Sequence, residues 1–156
     1  MLNFPTNREL VLNRLLDAPR EKIYRCWTEP ELIKQWFAPK PFTTAVATLD
    51  LRPGGASTIV IQSQDGLKFP NAGVYLEVVP NERIVFTDAF TAGWSPKDGP
   101  PFMVAIVTFA DEGGKTRYEA HVRHWSPEAR LQHEQIGFHR GWGQCADQLE
   151  ALAKTL

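Results

Sequence analysis

The sequence predicts an α+β domain, an antiparallel sheet with a long C-terminal helix packed on one face, and three observations predict it. From Thr43 to Val122 the residues fall into short alternating apolar runs parted by turn residues, the pattern of strands rather than helices. Most connections between those runs are only a few residues long, which favours antiparallel neighbours. After them, Leu131, Phe138, Trp142, Cys145, Leu149 and Leu152 recur at spacings of seven, four, three, four and three, one stripe of a helix that needs a broad apolar partner. The order strand, two short helices, six strands, long helix supplies that partner as a sheet.

Taken in order, ELVLNRLL from Glu9 to Leu16 suits a first strand, and Asp17, Ala18 and Pro19 supply helix-start chemistry before REKIYRCW. Ile23 and Trp27 fall four apart on one face of that helix, with Tyr24 beside them. A second short helix is expected from Pro30 to Phe37, because proline suits a first helical turn and Pro39 and Pro41 keep the helix from continuing. Strands then fit Thr43 to Leu51, Ala56 to Ser63, Phe69 to Val79, Arg83 to Phe90, Phe102 to Ala110 and Thr116 to Val122. Asp65-Gly66 is a hairpin signal because glycine tolerates a positive φ. The long connection Thr91 to Pro101, TAGWSPKDGPP, holds Trp94, which reads either as a lid over a cavity or as a plug within it. The final helix is expected from Pro127 to Leu152, with Ser126 as N-cap and Pro127 at the first helical position.

Composition sets limits. A chain of 156 residues fits one domain, which at that size buries roughly 68–70% of its unfolded surface. Seventeen Lys and Arg against eighteen Asp and Glu leave a formal charge of −1, so there is no basic excess to suit nucleic acid or an anionic membrane. The start, MLNFPTNREL, has neither a basic nor an apolar leader region, and no stretch approaches the roughly 18 apolar residues of a membrane helix, so a cytoplasmic location is expected. Cys26 and Cys145 stand apart in helical patterns and read as buried free thiols, with no disulfide framework and no CxxC site. There is no GxSxG, Walker or GxGxxG motif, and RPGG at Arg52 lies between two strands rather than before a helix, so nothing supports nucleotide chemistry and no cofactor is expected.

Five segments resemble one family in its own order: DAPREKIYRCWTEPELIKQWF from Asp17, LDLRPGG from Leu49, GVYLEVVPNERIVFTDAF from Gly73, GGKTRYEAHV from Gly113, and GFHRGWGQCADQLEALA from Gly137. The chain is similar to the SRPBCC or START-like superfamily, and within it to proteins like the C-terminal domain of the activator of heat-shock-protein ATPase. The resemblance covers almost the whole chain, so one domain over residues 1–156 is expected. It implies the helix-grip (START/Bet v-like) fold, a curved sheet wrapped around the C-terminal helix. It also implies an interior cavity for a small hydrophobic or amphipathic molecule and, frequently, a homodimer. Ligand carriers, chaperone regulators and cyclase- or aromatase-like enzymes share that fold, so the resemblance selects no activity. The eukaryotic activator carries an additional N-terminal domain, for which this sequence has no residues left.

Strand parity, with Arg83, Thr87, Arg117 and Glu119 outward, turns Ile84, Phe86, Asp88 and Phe90 towards the helix, and Tyr118, Ala120, Val122 and His124 with them. Asp88 is the sharpest candidate, since a carboxylate facing an apolar cavity needs a partner or a raised pKa; the alternative puts it past its strand, in solvent. His124 either joins Asp88 as a general base with its orienter, suited to proton transfer on a cyclisable ligand, or closes a structural hydrogen bond. Trp36 and Phe37 at the mouth, Ile61 and Phe90 on strands, and Phe138 and Trp142 on the helix either line the cavity or fill it. HEQIGFH is not a zinc motif: the second histidine must stand four after the first, where Gly137 lies, and His139 points away from His133, so no metal is expected. The leading expectation is a binding domain, non-enzymatic or weakly catalytic, for a small hydrophobic or amphipathic molecule. A polyketide cyclase/aromatase-like enzyme using Asp88 and His124, and a stress-related or chaperone-linked interaction protein, are the alternatives.

Overall fold

In the computed structural model, which describes residues 3–156, ELVLNRLL forms β1 (Glu9–Leu16), with Leu10, Leu12 and Leu16 buried and Val11 and Leu15 on the outer face. The chain then turns at Pro19 into α1 (Arg20–Thr28), whose Ile23, Cys26 and Trp27 are buried. A one-turn α2 (Pro30–Ile33) comes next, with proline at its start. It is shorter than the expected Pro30–Phe37 helix. The Trp36 and Ala38 carbonyls are taken from outside by the Gln148 side chain, at 2.9 Å each, and Trp36 folds back so that its Nε1 donates to the Cys26 carbonyl at 2.9 Å.

The middle of the chain is β2 (Thr43–Leu49), β3 (Ala56–Gln62), β4 (Lys68–Val79), β5 (Arg83–Thr87), β6 (Phe90–Thr91), β7 (Ser95–Pro96), β8 (Val104–Glu112) and β9 (Lys115–Arg123). β1 joins six of these strands in one sheet, in the order β1-β9-β8-β5-β4-β3-β2 and antiparallel throughout, while β6 and β7 pair only with each other. Register shifts between Thr44 and Val46 and between Tyr75 and Glu77 add local bends to the sheet. β5 stops at Thr87 instead of running to Phe90. Beyond it the Asp88 carboxylate accepts from the backbone N–H groups of Phe102 and Met103, and the chain between is diverted into the β6–β7 hairpin.

The C-terminal helix is likewise interrupted. α3 (Pro127–Gln135) starts as expected, with Ser126 Oγ accepting from Ala129 N at 3.1 Å, but it ends at Ile136, and α4 (Phe138–Ala153) begins afresh. Gly137 sits between them at φ +106°, a backbone conformation that a side chain resists, so the helical stripe is out of phase across it. Leu131, expected on the inner stripe, is therefore exposed, and His133 is buried instead.

The buried face of α4 is Phe138, Gly143, Ala146, Leu149 and Ala153, three of them small. The small residues bring the helix close to β1: a Cβ at Gly143 would stand 2.8 Å from Arg14 Nη2. Arg14 Nη1 reaches Asp147 at 2.8 Å, and the Asp17 amide donates to Glu150 at 2.6 Å. Such exposed pairs contribute little, whereas burying a side chain like Leu149, fully enclosed here, contributes about 1.5–3 kcal/mol. α4 thus packs on β1 and α1, which leaves the β3–β5 half of the sheet to other elements. No described helix is long and apolar enough to cross a membrane.

Gln148 ties α4 to the segment after α2, since its Oε1 also accepts from Lys40 N at 3.2 Å. Replacing it by alanine orphans the two carbonyls, and we expect a loss of about 1–3 kcal/mol in urea unfolding followed by tryptophan fluorescence; an unchanged midpoint would show that the segment is held by its rings alone.

Candidate functional site

Between β3–β5 and α4 lies a cavity of about 470 Å³, within the roughly 300–1,000 Å³ usual for small-molecule sites. Six rings form most of its wall: Trp27, Trp36, Phe37, Phe86, Phe102 and Trp142. Trp27 is their hub, with centroids 5.0 Å from Trp36, 5.9 Å from Phe37 and 5.8 Å from Phe86. Ile59 and Ile61 supply an aliphatic floor from β3. The four rings packed on one another around Trp27 make that part of the wall stiff, because each fixes the orientation of the next.

Polar side chains also line this space, Ser57, Asn71, Thr87, Asp88 and Lys97 among them, with Tyr118 and His133. Tyr118, from β9, is 2% exposed, and its hydroxyl oxygen accepts from Trp27 Nε1 at 3.2 Å; burial pushes its pKa up, so it stays a phenol. His133 lines the cavity from α3, and behind it stands His124, with His124 Nε2 2.9 Å from His133 Nδ1 and His124 Nδ1 2.9 Å from the Arg8 carbonyl. A carbonyl only accepts, so His124 carries its proton on Nδ1, and His133 donates its own Nδ1 proton to His124 Nε2. Burial, and then the proximity of His124, hold His133 down at about 4, and burial also lowers His124, so both rings are neutral at pH 7. Burial pushes the Cys145 thiol up to about 12 and the Cys26 thiol to about 11; neither is a thiolate nucleophile at neutral pH. Lys97 stands at the rim, its Nζ donating to the Ala72 carbonyl at 3.1 Å.

Of the residues expected at the cavity, Trp36, Phe37, Ile61, Phe86, Asp88 and Trp142 line it. Four do not. His124 is one layer behind, screened by His133. Phe138 is 2% exposed and packed between His133 and Trp142, a core ring. Phe90 and Trp94 meet edge to face at 5.7 Å outside the cavity, and Trp94 lies across Gly54, where a Cβ would come within 2.7 Å of its Nε1, so it is neither lid nor plug. The Asp88–His124 pair does not form: the carboxylate is engaged by the Phe102 and Met103 amides at 2.8–3.0 Å, and both His124 nitrogens have other partners. Thr87, expected outward, is buried where β5 ends and donates to the Met103 carbonyl at 2.8 Å. Among the described residues no three His, Cys, Asp or Glu side chains converge as a metal site would require.

Sequence reasoning missed Trp27, Phe102, Tyr118, His133 and Cys145 as cavity residues. Tyr118 was legible, since parity turns it inward and a buried phenol needs a polar neighbour. His133 was hidden by the assumption of an unbroken helix, although Ile136-Gly137 is a helix-ending signal.

A curved antiparallel sheet closed by a C-terminal helix defines the helix-grip class. The chain belongs to the family described as Activator of Hsp90 ATPase homolog 1-like protein, whose model matches residues 17–154. It is similar to a crystal structure of a protein from Nitrosomonas europaea, with 40% identity, 97% of each chain covered and a TM-score of 0.93. A crystal structure from Chromobacterium violaceum shares 28% identity over 94% of this chain and 96% of that one, with a TM-score of 0.74. The solution structure of an AHSA1-like protein from Aeromonas hydrophila shares the fold at 21% identity and a TM-score of 0.73, over 94% and 92% of the two chains. A search of curated proteins finds no match to the chain.

Two outcomes test this geometry. Because the folded-state pKa of His133 is depressed to about 4, the native protein binds fewer protons than the unfolded chain below about pH 6.5, and stability falls as pH drops from there towards 4. In urea unfolding at pH 7.5 and pH 4.5, His133→Gln should shrink the loss between the two by on the order of 2–3 kcal/mol; an equal loss would mean that the imidazole is not held neutral. Phe138→Ala should cost about 3–5 kcal/mol and Trp142→Ala, which borders open space, distinctly less, as read by thermal unfolding.

Proposed function

We propose that residues 1–156 act as one binding domain, which encloses a small hydrophobic or amphipathic molecule between β3–β5 and α4. The observation that carries this is the cavity of about 470 Å³ walled by six aromatic rings, with its polar side chains neutral or already hydrogen-bonded. An apolar surface of that size gains by exchanging water for an apolar occupant, roughly 25 cal/mol for each Å² removed from solvent. Turnover by an Asp88–His124 dyad is not part of the proposal, since the two groups serve other partners. The cytoplasm is the proposed compartment, where the unbridged Cys26 and Cys145 remain reduced. A homodimer is part of the proposal too: β2 is an edge strand with one side of its backbone unpaired, and Phe42, Val46, Leu67 and Phe69 stand exposed around it.

Native mass spectrometry of the protein purified from its own host tests these points together. The expected result is twice the subunit mass plus a reproducible apolar adduct, which a cavity-filling Ile61→Trp variant lacks. Wild-type protein that is empty under gentle ionisation would overturn the carrier reading, and a single-subunit mass would overturn the dimer.

A further inference from the structure

Given a binding role for the cavity, on which this inference rests, two buried side chains narrow the kind of molecule that enters. Tyr118 Oη accepts from Trp27 Nε1, and among the described residues it makes no other hydrogen bond, so its own proton has no acceptor among them. On the opposite count stands His133. Its Nδ1 proton is committed to His124, whose tautomer is set in turn by the Arg8 carbonyl, so Nε2 carries a lone pair. No described residue hydrogen-bonds that Nε2, and the atom is not sealed inside protein. His133 lines the cavity, and His124, which holds its Nδ1, does not.

The Tyr118 proton is a buried donor without a protein acceptor, which costs stability unless something supplies the bond, while His133 Nε2 is an acceptor left open to an occupant. The charged groups nearby are not in that position. Asp88 is satisfied by two backbone amides, and Lys97 is held at the rim by the Ala72 carbonyl. An ion carried wholly into the aromatic space would lose its hydration without gaining a counter-charge, since Lys97, the cation on the lining, stands exposed at the rim.

We propose that the cavity selects uncharged, mostly aromatic or alicyclic molecules bearing an acceptor oxygen, taken by the Tyr118 hydroxyl, and a hydroxyl or N–H donor, taken by His133 Nε2. Hydroxylated aromatic compounds and hydroxy-ketones have this chemistry, and plain hydrocarbons do not. Tyr118 and His133 act as specificity-determining residues, and the Arg8 carbonyl and His124 act through His133 as positioning groups.

Three probes of nearly equal size separate the two bonds: 1-methylnaphthalene offers neither donor nor acceptor, 1-methoxynaphthalene an acceptor alone, and 1-naphthol both. Affinities are read by quenching of the cavity tryptophans. The expected order in the wild-type protein is naphthol tightest, methoxynaphthalene next and methylnaphthalene weakest, each step roughly three- to tenfold. Tyr118→Phe should bring methoxynaphthalene down to methylnaphthalene, and His133→Leu should bring naphthol down to methoxynaphthalene. Equal affinity of the wild-type protein for all three overturns this inference and leaves the binding reading standing; binding of none overturns both. Since Tyr118→Phe removes a partner of Trp27 and puts folding at risk, imidazole nitrogen-15 spectra of the wild-type protein give a second measure. An unprotonated His133 Nε2 that shifts with naphthol and not with methylnaphthalene supports the assignment, and a protonated Nε2 overturns it.

Discussion

A single helix cannot cover seven strands, and the rest of the structure depends on where α4 settles. Strands spaced about 4.8 Å apart make a sheet roughly 29 Å across, against about 10–12 Å for a helix with its side chains. The small residues Gly143, Ala146 and Ala153 allow close approach on one side only, against β1 and α1. The other half of the sheet must then be closed by something bulkier. Trp27, Trp36 and Phe37 supply it from one direction and Phe102 from another, and rings spanning a gap of that width leave space between them. The cavity is a consequence of sheet width and helix placement more than of any residue that lines it.

The ionisable groups near that space also serve the fold, and the exposed charge on its lining, Lys97, stands at the rim. Asp88 pins the return of the long loop, Lys97 crosses to β4, and Cys145 donates to the Phe37 carbonyl. The two histidines are neutral because burial disfavours their charged forms, with His124 lowering His133 further and the Arg130 charge lowering His124. Such groups are suited to orienting a neutral guest. The catalyst the sequence suggested needs Asp88 and His124 bonded to each other, and each is bonded elsewhere.

Much of the fold was legible in the sequence because it rests on periodicity. The alternation in β1, β8 and β9, the proline starts of α2 and α3 and the Ser126 cap all depend on local chemistry that a sequence displays. The strand ends did not, since β5 stops where Asp88 captures amides fourteen and fifteen residues further on, a contact no local pattern records. The cavity was half legible for the same reason. Trp142 and Phe86 follow from faces, whereas Phe90 and Trp94 were misplaced because their hairpin packs outward on Gly54, a contact between distant turns. Phe138 was placed on the right face but at the wrong depth, which depends on how closely the helix approaches the sheet.

The break at Gly137 connects these points. On an uninterrupted helix each residue turns by about 100°, so nine residues carry His133 and Trp142 to opposite sides, half a turn apart. Both could not then line one cavity, and His133 would face solvent as an ordinary surface histidine. One glycine at φ +106° resets the phase, turns Leu131 out and His133 in, and starts α4 with Phe138 buried beside it. A side chain at position 137 would resist that conformation, so the residue that interrupts the apolar stripe is also the one that gives the cavity its second polar edge.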